Sequence, residues 1–375
     1  MAIFRLCVAL ALLGGLIQAF WPGVTAAQET PPNEILFISE RDGEPAIFIM
    51  NADGSGVRRL SPFGLPAHAP VWSPDRQKIA FVGIARGNGP EIYVMNADGT
   101  IPVRLTENNI EEDAPAWSPD GRYIAFTTTR DGNKEIYIMG ANGSDPRNLT
   151  NHPGQDDNPA WSPAGTAIAF TSDRTGTQNL YLMDVDGGNV RRLTQNEDDI
   201  ETEPAWSPDG SRLAFVLLRR DGGGIYTMSA DGSDRQPVAR TNSFDATPAW
   251  SGDGAQLAFV SYRDADYEIY SVSLDGSTAP ANLTASPGLD AAPHWSPVER
   301  AFCIVTARGG INLRGGPGTD NPVVGGMALG QTAQATGQTT GADGFTWYRL
   351  LDGAWAREDV VTAAPDCASL PEVAD

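Results

Sequence analysis

Short apolar runs, each bracketed by Gly, Pro, Asp or Asn, recur through most of this chain. The stretch that begins at Trp117 illustrates the pattern. Tyr123-Ile124-Ala125-Phe126 is one run, Glu135 to Met139 alternates with a period of two, Arg147 to Thr150 is shorter, and Pro159-Ala160-Trp161 comes next. Alternation over so few residues predicts half-buried β-strands. Ser118-Pro119-Asp120-Gly121, Arg130-Asp131-Gly132-Asn133 and Ala141-Asn142-Gly143-Ser144 separate the runs. Proline presets φ in such a turn and glycine accepts positive φ, so each stretch predicts a reversal between antiparallel neighbours. With 41 Gly and 28 Pro in 375 residues, a helical bundle is not expected.

The arrangement repeats. Trp-Ser-Pro recurs at Trp72, Trp117, Trp161, Trp206 and Trp295, with Trp250-Ser251-Gly252 as a variant, always 44 or 45 residues apart. Asp-Gly or Asn-Gly at Asp53, Asp98, Asn142, Asp186, Asp231 and Asp275 keeps the same interval. Four short antiparallel strands per repeat predict the blades of an all-β propeller. The series opens mid-repeat, with Ile35–Ser39, Ala46–Met50 and Val57–Leu60 as second, third and fourth strands, and closes on a lone first strand at Pro293-His294-Trp295. Joining that strand to the first three leaves no free edge, which predicts a six-bladed β-propeller with three-plus-one closure.

The motifs Trp-Ser-Pro-Asp-Gly, Ile-Ala-Phe, Glu-Ile-Tyr-Val/Ile-Met, Asp-Gly-Ser and Arg-Arg/Asn-Leu-Thr resemble the TolB-type (WD40-like PD40) propeller repeat over roughly residues 33–299. The resemblance implies an exported six-bladed propeller that serves as a non-catalytic binding hub between envelope proteins. Residues 300–367 abandon the repeat. Ile311-Asn312-Leu313-Arg314-Gly315-Gly316-Pro317-Gly318-Thr319, then Trp347-Tyr348-Arg349-Leu350 and Gly353-Ala354-Trp355, resembles the bacterial SH3 (SH3b) domain. That second resemblance implies a small β-barrel used as a tether or recruitment module, with cell-wall peptides among its ligands.

Charge and targeting narrow the partners. A formal net charge of -21 argues against nucleic acid, which is bound through cations that release phosphate counterions, and against anionic membrane surfaces. Arg5 precedes the apolar run Leu6 to Phe20, and Thr25-Ala26-Ala27 supplies small residues, so residues 1–27 are expected to be a signal peptide. The run is shorter than the ~20 residues of a membrane span. The expected divisions are therefore the signal, a propeller over 28–299, the SH3b-like unit over 300–367 and a flexible tail over 368–375, in a secreted or periplasmic protein. Beyond the signal only Cys303 and Cys367 remain, an even pair bracketing a barrel with a thin core, and a disulfide is expected between them.

Candidate chemistry sits five residues before each Trp. These positions are Ala67, Glu112, Asp156, Glu201, Asp245 and Asp290, so five of the six are acidic. First strands line a propeller's channel, so the carboxylates are expected to ring one mouth, where they could take Ca²⁺ or a cationic peptide. Asp113, Asp157 and Glu203 lie beside that ring, and His68 stands at the gap left by Ala67. A structural reading competes. Arg130, Arg174, Arg219 and Arg263 each follow a Trp by thirteen residues, and Arg41 occupies the matching slot of the first repeat. Each carboxylate could then pair with an arginine of its own blade. No nucleophile elbow, zinc-binding helix, phosphate loop or dinucleotide fingerprint is present in the sequence. The leading expectation is a non-catalytic protein- or peptide-binding scaffold, with Ca²⁺ the one cofactor in view. The alternative is a metal-dependent hydrolase or lyase with its site at the acidic mouth.

Overall fold

The computed structural model describes residues 33–363, apart from 109, 196, 221, 242, 298–302, 330–331 and 351–353. The expected signal peptide, Cys367 with its pairing to Cys303, and the 368–375 tail lie outside the described residues. The described chain is almost wholly β, with one short 3₁₀ turn at Glu358–Val360. Six sheets have four antiparallel strands each.

Sheet II is Ala67–Trp72, Lys78–Gly83, Glu91–Asn96 and Val103–Arg104. Sheet III is Glu112–Trp117, Tyr123–Thr128, Glu135–Gly140 and Arg147–Asn148. Sheet IV is Asp156–Trp161, Ala167–Ser172, Asn179–Asp184 and Arg191–Arg192. Sheet V is Ile200–Trp206, Arg212–Arg219, Gly222–Ser229 and Gln236–Thr241, and sheet VI is Asp245–Trp250, Gln256–Ser261, Glu268–Ser273 and Ala281–Asn282. Sheet I is assembled from both ends of the series. Glu34–Ser39, Ala46–Asn51 and Arg58–Arg59 take Asp290–Trp295 as their first strand, with Ile35 opposite Trp295 and Ser39 opposite Asp290. First strands touch in succession from sheet II to sheet VI, and Asp290–Trp295 touches both Asp245–Trp250 and Ala67–Trp72, so the six sheets close a ring.

The repeat supplies the same core to each sheet. Phe37, Phe81, Phe126, Phe170, Phe215 and Phe259 are fully buried in the second strands. Each lies 5.5–6.1 Å from a third-strand ring, Phe48 in sheet I and a tyrosine in the others. Burying one such ring is worth about 2–3 kcal/mol, so the ladder is a main source of stability. The Ser-Pro-Asp-Gly turns are held by their own side chains. In one, Ser118 Oγ donates to Asp120 at 2.5 Å and accepts from Tyr123 N at 2.9 Å, and Gly121 takes φ 69°. Residues beyond the ring form one seven-stranded antiparallel sheet around Val305, Leu313, Met327, Tyr348, Leu350 and Val361.

Candidate functional site

The five carboxylates before the tryptophans are fully buried, and each meets a guanidinium. Arg130 reaches Glu112 at 2.7 Å, Arg174 reaches Asp156 at 2.9 Å, Arg263 reaches Asp245 at 3.5 Å and Arg41 reaches Asp290 at 3.1 Å. These four arginines are held twice more. Each Nε donates to a hydroxyl at the end of the second strand, on Thr128, Ser172, Ser261 or Ser39. Each guanidinium also lies 5.3–5.5 Å over the buried phenylalanine of its sheet. Burial pushes the Glu112 and Asp156 carboxyls up, against the pull of Asn108 and Arg130 on the first and of Ser172 and Arg174 on the second.

Glu201 departs from the expected pairing. Its partner is Arg235, while Arg219 instead bonds Asp199 at 3.0 Å. Leu217 stands where sheets I, III, IV and VI have Ser or Thr, so Arg219 has no hydroxyl to fix its Nε over the core. The hairpin of sheet V also runs longer, with Arg219 paired to Gly222 inside it. Arg235 enters from the third turn and stacks 5.2 Å over Phe215 in place of Arg219.

The channel wall is made by other positions. Every first strand is bulged between the residue four before Trp and the residue one before it. The middle residue of each bulge is left-handed, at Ala69, Ala114, Asn158, Glu203, Thr247 and Ala292, with φ between 47° and 54°. Such a conformation costs a non-glycine residue about 1–2 kcal/mol, and a bulge re-aims the side chain it carries. Each is followed by a proline, whose missing N–H is tolerated at a bulge. These residues, with the prolines and tryptophans after them, line an axial space of about 1560 Å³. Ala335, Arg349 and Leu350 of the C-terminal sheet border the same space.

Polar side chains at and beside the bulges are unevenly spread around the ring. His68 Nε2 lies 3.5 Å from Asp113, and Lys134 Nζ donates to Asp157 at 2.6 Å. Asn158 donates to Thr202 at 3.5 Å, Thr202 meets Thr171 at 3.3 Å, and Thr247 N donates to Glu203 at 2.6 Å. These groups belong to sheets II to VI, while sheet I has Ala291 and Ala292 at the matching positions and contributes His294 to the lining. Burial pushes the Asp113 carboxyl up, but His68 and the Ala114 N–H outweigh it and the net shift is down. Glu203 shifts up, because burial and the Asp157 charge outweigh its one N–H donor. His294 is pushed down to about 4 by burial, and its Nδ1 accepts from Trp72 N at 3.4 Å.

Several donors in the wall have no partner among the described residues. Trp206 and Trp250 donate their indole N–H groups to Ala160 O and Ala205 O, at 3.2 and 3.0 Å. Trp72, Trp117, Trp161 and Trp295 find no such acceptor, and neither does the Thr247 hydroxyl find a partner. Among the described residues, no group of three or more His, Cys, Asp or Glu side chains is placed to hold a metal ion. Asn158 and Thr247 escaped the sequence reading. Their signal was the X-Pro step at a fixed distance before each Trp.

A family model described as the TolB beta propeller domain matches residues 65–203 and 196–314. TolB from Acinetobacter baumannii superposes with a TM-score of 0.63 at 26% identity, over 71% of this chain and 67% of that one. The putative TolB from Agrobacterium tumefaciens gives 0.54 at 23% identity, over 67% of this chain and 88% of that one. A chain of a nidogen/laminin complex gives 0.58 at 13% identity, over 70% and 98%, a likeness of fold alone. A search of curated proteins found no match.

Proposed function

The chain belongs to the TolB β-propeller family, and from that premise we propose that it is a non-catalytic, exported scaffold whose axial channel receives a peptide segment of a partner protein. In this reading the ring is a six-bladed propeller closed three-plus-one, and the C-terminal sheet is an SH3b-like barrel that tethers or recruits. A propeller offers a rigid disc, which spares the partner the cost of ordering its host. The five buried carboxylates act as staples of their own blades. Ligand recognition passes to the residues that the bulges aim inward.

The observation that carries the reading is the underpaired Glu203 carboxylate in the channel wall. Glu203 lines the axial space and, among the described residues, its carboxylate accepts from a single donor, the Thr247 N–H. Buried polar groups left unpaired cost about 1–3 kcal/mol each, which favours an occupant that satisfies them. An extended peptide does so where a lysine or arginine side chain meets Glu203. Ca²⁺ is the competing occupant near Glu203. Among the described residues, no helix is long and apolar enough to cross a membrane.

Capture from an envelope extract tests the proposal. The parent protein and Glu203→Lys are compared, with bound proteins identified by mass spectrometry and thermal melting recorded with and without Ca²⁺. A defined partner held by the parent and lost by the variant is the expected result. Identical profiles for two folded proteins would sink the channel reading. A midpoint raised by Ca²⁺ in the parent alone would assign Glu203 to a cation instead.

A further inference from the structure

At five of the six junctions between neighbouring sheets, the chain closes the gap with one device. The fourth-strand leucine of one sheet shares a cluster with the tryptophan and the third-strand methionine of the next, as Leu60 does with Trp72 and Met95. Leu105, Leu149, Leu193 and Leu283 repeat the arrangement. The hairpin glycine of the next sheet then abuts the leucine carbonyl. A Cβ added at Gly54, Gly99, Gly143, Gly187 or Gly232 would stand 2.3–3.0 Å from that oxygen.

The junction between sheets V and VI departs in four ways at once. Val238 stands where the others have leucine, and Val272 where they have methionine. A bulge falls at Val238, since Tyr226 pairs with Pro237 while Ile225 pairs with Ala239. Gly276 meets nothing within 4 Å of its Cβ position. The consequence is an open cleft of about 850 Å³. Pro237, Val238, Trp250, Val272, Leu274 and Pro280 give it an apolar wall. At its rim stand Asp209, Asp234 and Asp253 against one cation, Arg212, which bonds Asp234 at 2.9 Å.

We propose that this junction is a docking cleft for an extended segment of a partner protein that carries a leucine-sized side chain beside basic residues. The aliphatic part follows from what is missing. Two shortened side chains and a displaced strand leave room where a leucine fills every other junction, and an unfilled apolar space forfeits its dispersion contacts. The basic part follows from charge. Three carboxylates meet one guanidinium at the rim, on a chain of net charge -21, so a cationic segment is drawn in and an acidic one repelled. The chain's own closing motif, Arg191-Arg192-Leu193-Thr194 between sheets IV and V, has this chemistry. A partner would supply from outside what the repeat supplies elsewhere. The cleft adjoins the channel at Trp250 but does not include Glu203.

A Val-Arg-Arg-Leu-Thr-Gln amide, copied from residues 190–195 and carrying fluorescein on its N-terminal amine, is the probe, read by fluorescence anisotropy against the full mature protein. Saturable binding is expected, weakened at least about tenfold when the peptide's leucine is alanine. Val238→Leu with Val272→Met refills the junction and should abolish binding while raising the melting midpoint. Thr278→Arg, at an exposed position in the lining, should weaken binding by charge and bulk, and it serves if the refilled variant fails to fold. No saturable response at about 1 mM peptide overturns the proposal, as does equal binding by parent and folded variants. Self-association of the parent that the refilled variant abolishes would assign the cleft to a second copy and overturn it equally. Loss of binding in Glu203→Lys would place the peptide in the channel instead.

Discussion

The Arg174–Asp156 pair shows what each staple does. Asp156 has no exposure, and Arg174 bonds both its oxygens, at 3.0 and 2.9 Å, while lying over Phe170 and Tyr181. Attraction and desolvation nearly cancel in such a pair, but removal of one partner leaves a buried charge unmatched. Arg174→Ala is therefore expected to cost about 3 kcal/mol at neutral pH by urea denaturation. Burial already raises the Asp156 carboxyl, and without arginine it rises further. A carboxyl raised in the folded state loses stability as pH climbs through its folded value and regains it below. The defect should accordingly shrink as pH falls toward 4, and a pH-independent loss would show that packing over the rings, not charge, was removed.

At the scale of the strand and turn, glycines separate closed junctions from the open one. Gly99 takes φ 87° with its Cβ position 2.3 Å from Leu60 O, whereas Gly276 takes φ 71° with free space around it. Gly276→Ala should cost only the left-handed penalty, about 1–2 kcal/mol. Gly99→Ala adds a clash with backbone and should cost about 1–3 kcal/mol more. Chemical denaturation of the two variants side by side checks the ordering. Equal losses would mean that the open junction closes in solution.

Across the whole molecule, ring closure depends on a seam whose parts lie far apart in the chain. Ser296 N donates to Glu34 O at 2.7 Å, Glu34 N donates to Ser296 Oγ at 3.0 Å, and His294 Nδ1 accepts from Trp72 N. A protonated imidazole has no lone pair left for that N–H. With its folded value lowered from 6.5 to about 4, His294 favours folding fully above pH 6.5, and the contribution is lost as pH falls toward 4. Glu203 runs the other way, because its raised carboxyl gains from protonation. The difference between the melting midpoints of the parent and His294→Asn, followed across this window, isolates the histidine. The parent's advantage should fade on acidification, and a flat difference would remove the seam from the pH response.

Periodicity in the sequence determined the strands, their turns, the four-stranded unit and the pairing of the last first strand with the opening three. These rest on local rules, namely alternation, proline and glycine at fixed offsets, and one tryptophan per repeat. Glu112, Asp156, Asp245 and Asp290 each meet the arginine of their own repeat, because the hairpin brings position thirteen back beside position minus five. Glu201 departs, where a missing hydroxyl and a lengthened hairpin gave the site to Arg235. Tertiary structure alone decided which side chains face the axis, since a bulge turns the residue three before Trp inward and no alternation rule foretells its direction. It alone decided that the junction of sheets V and VI stays open. Val238 and Val272 are unremarkable in sequence, and only packing brings their two shortfalls to the same place.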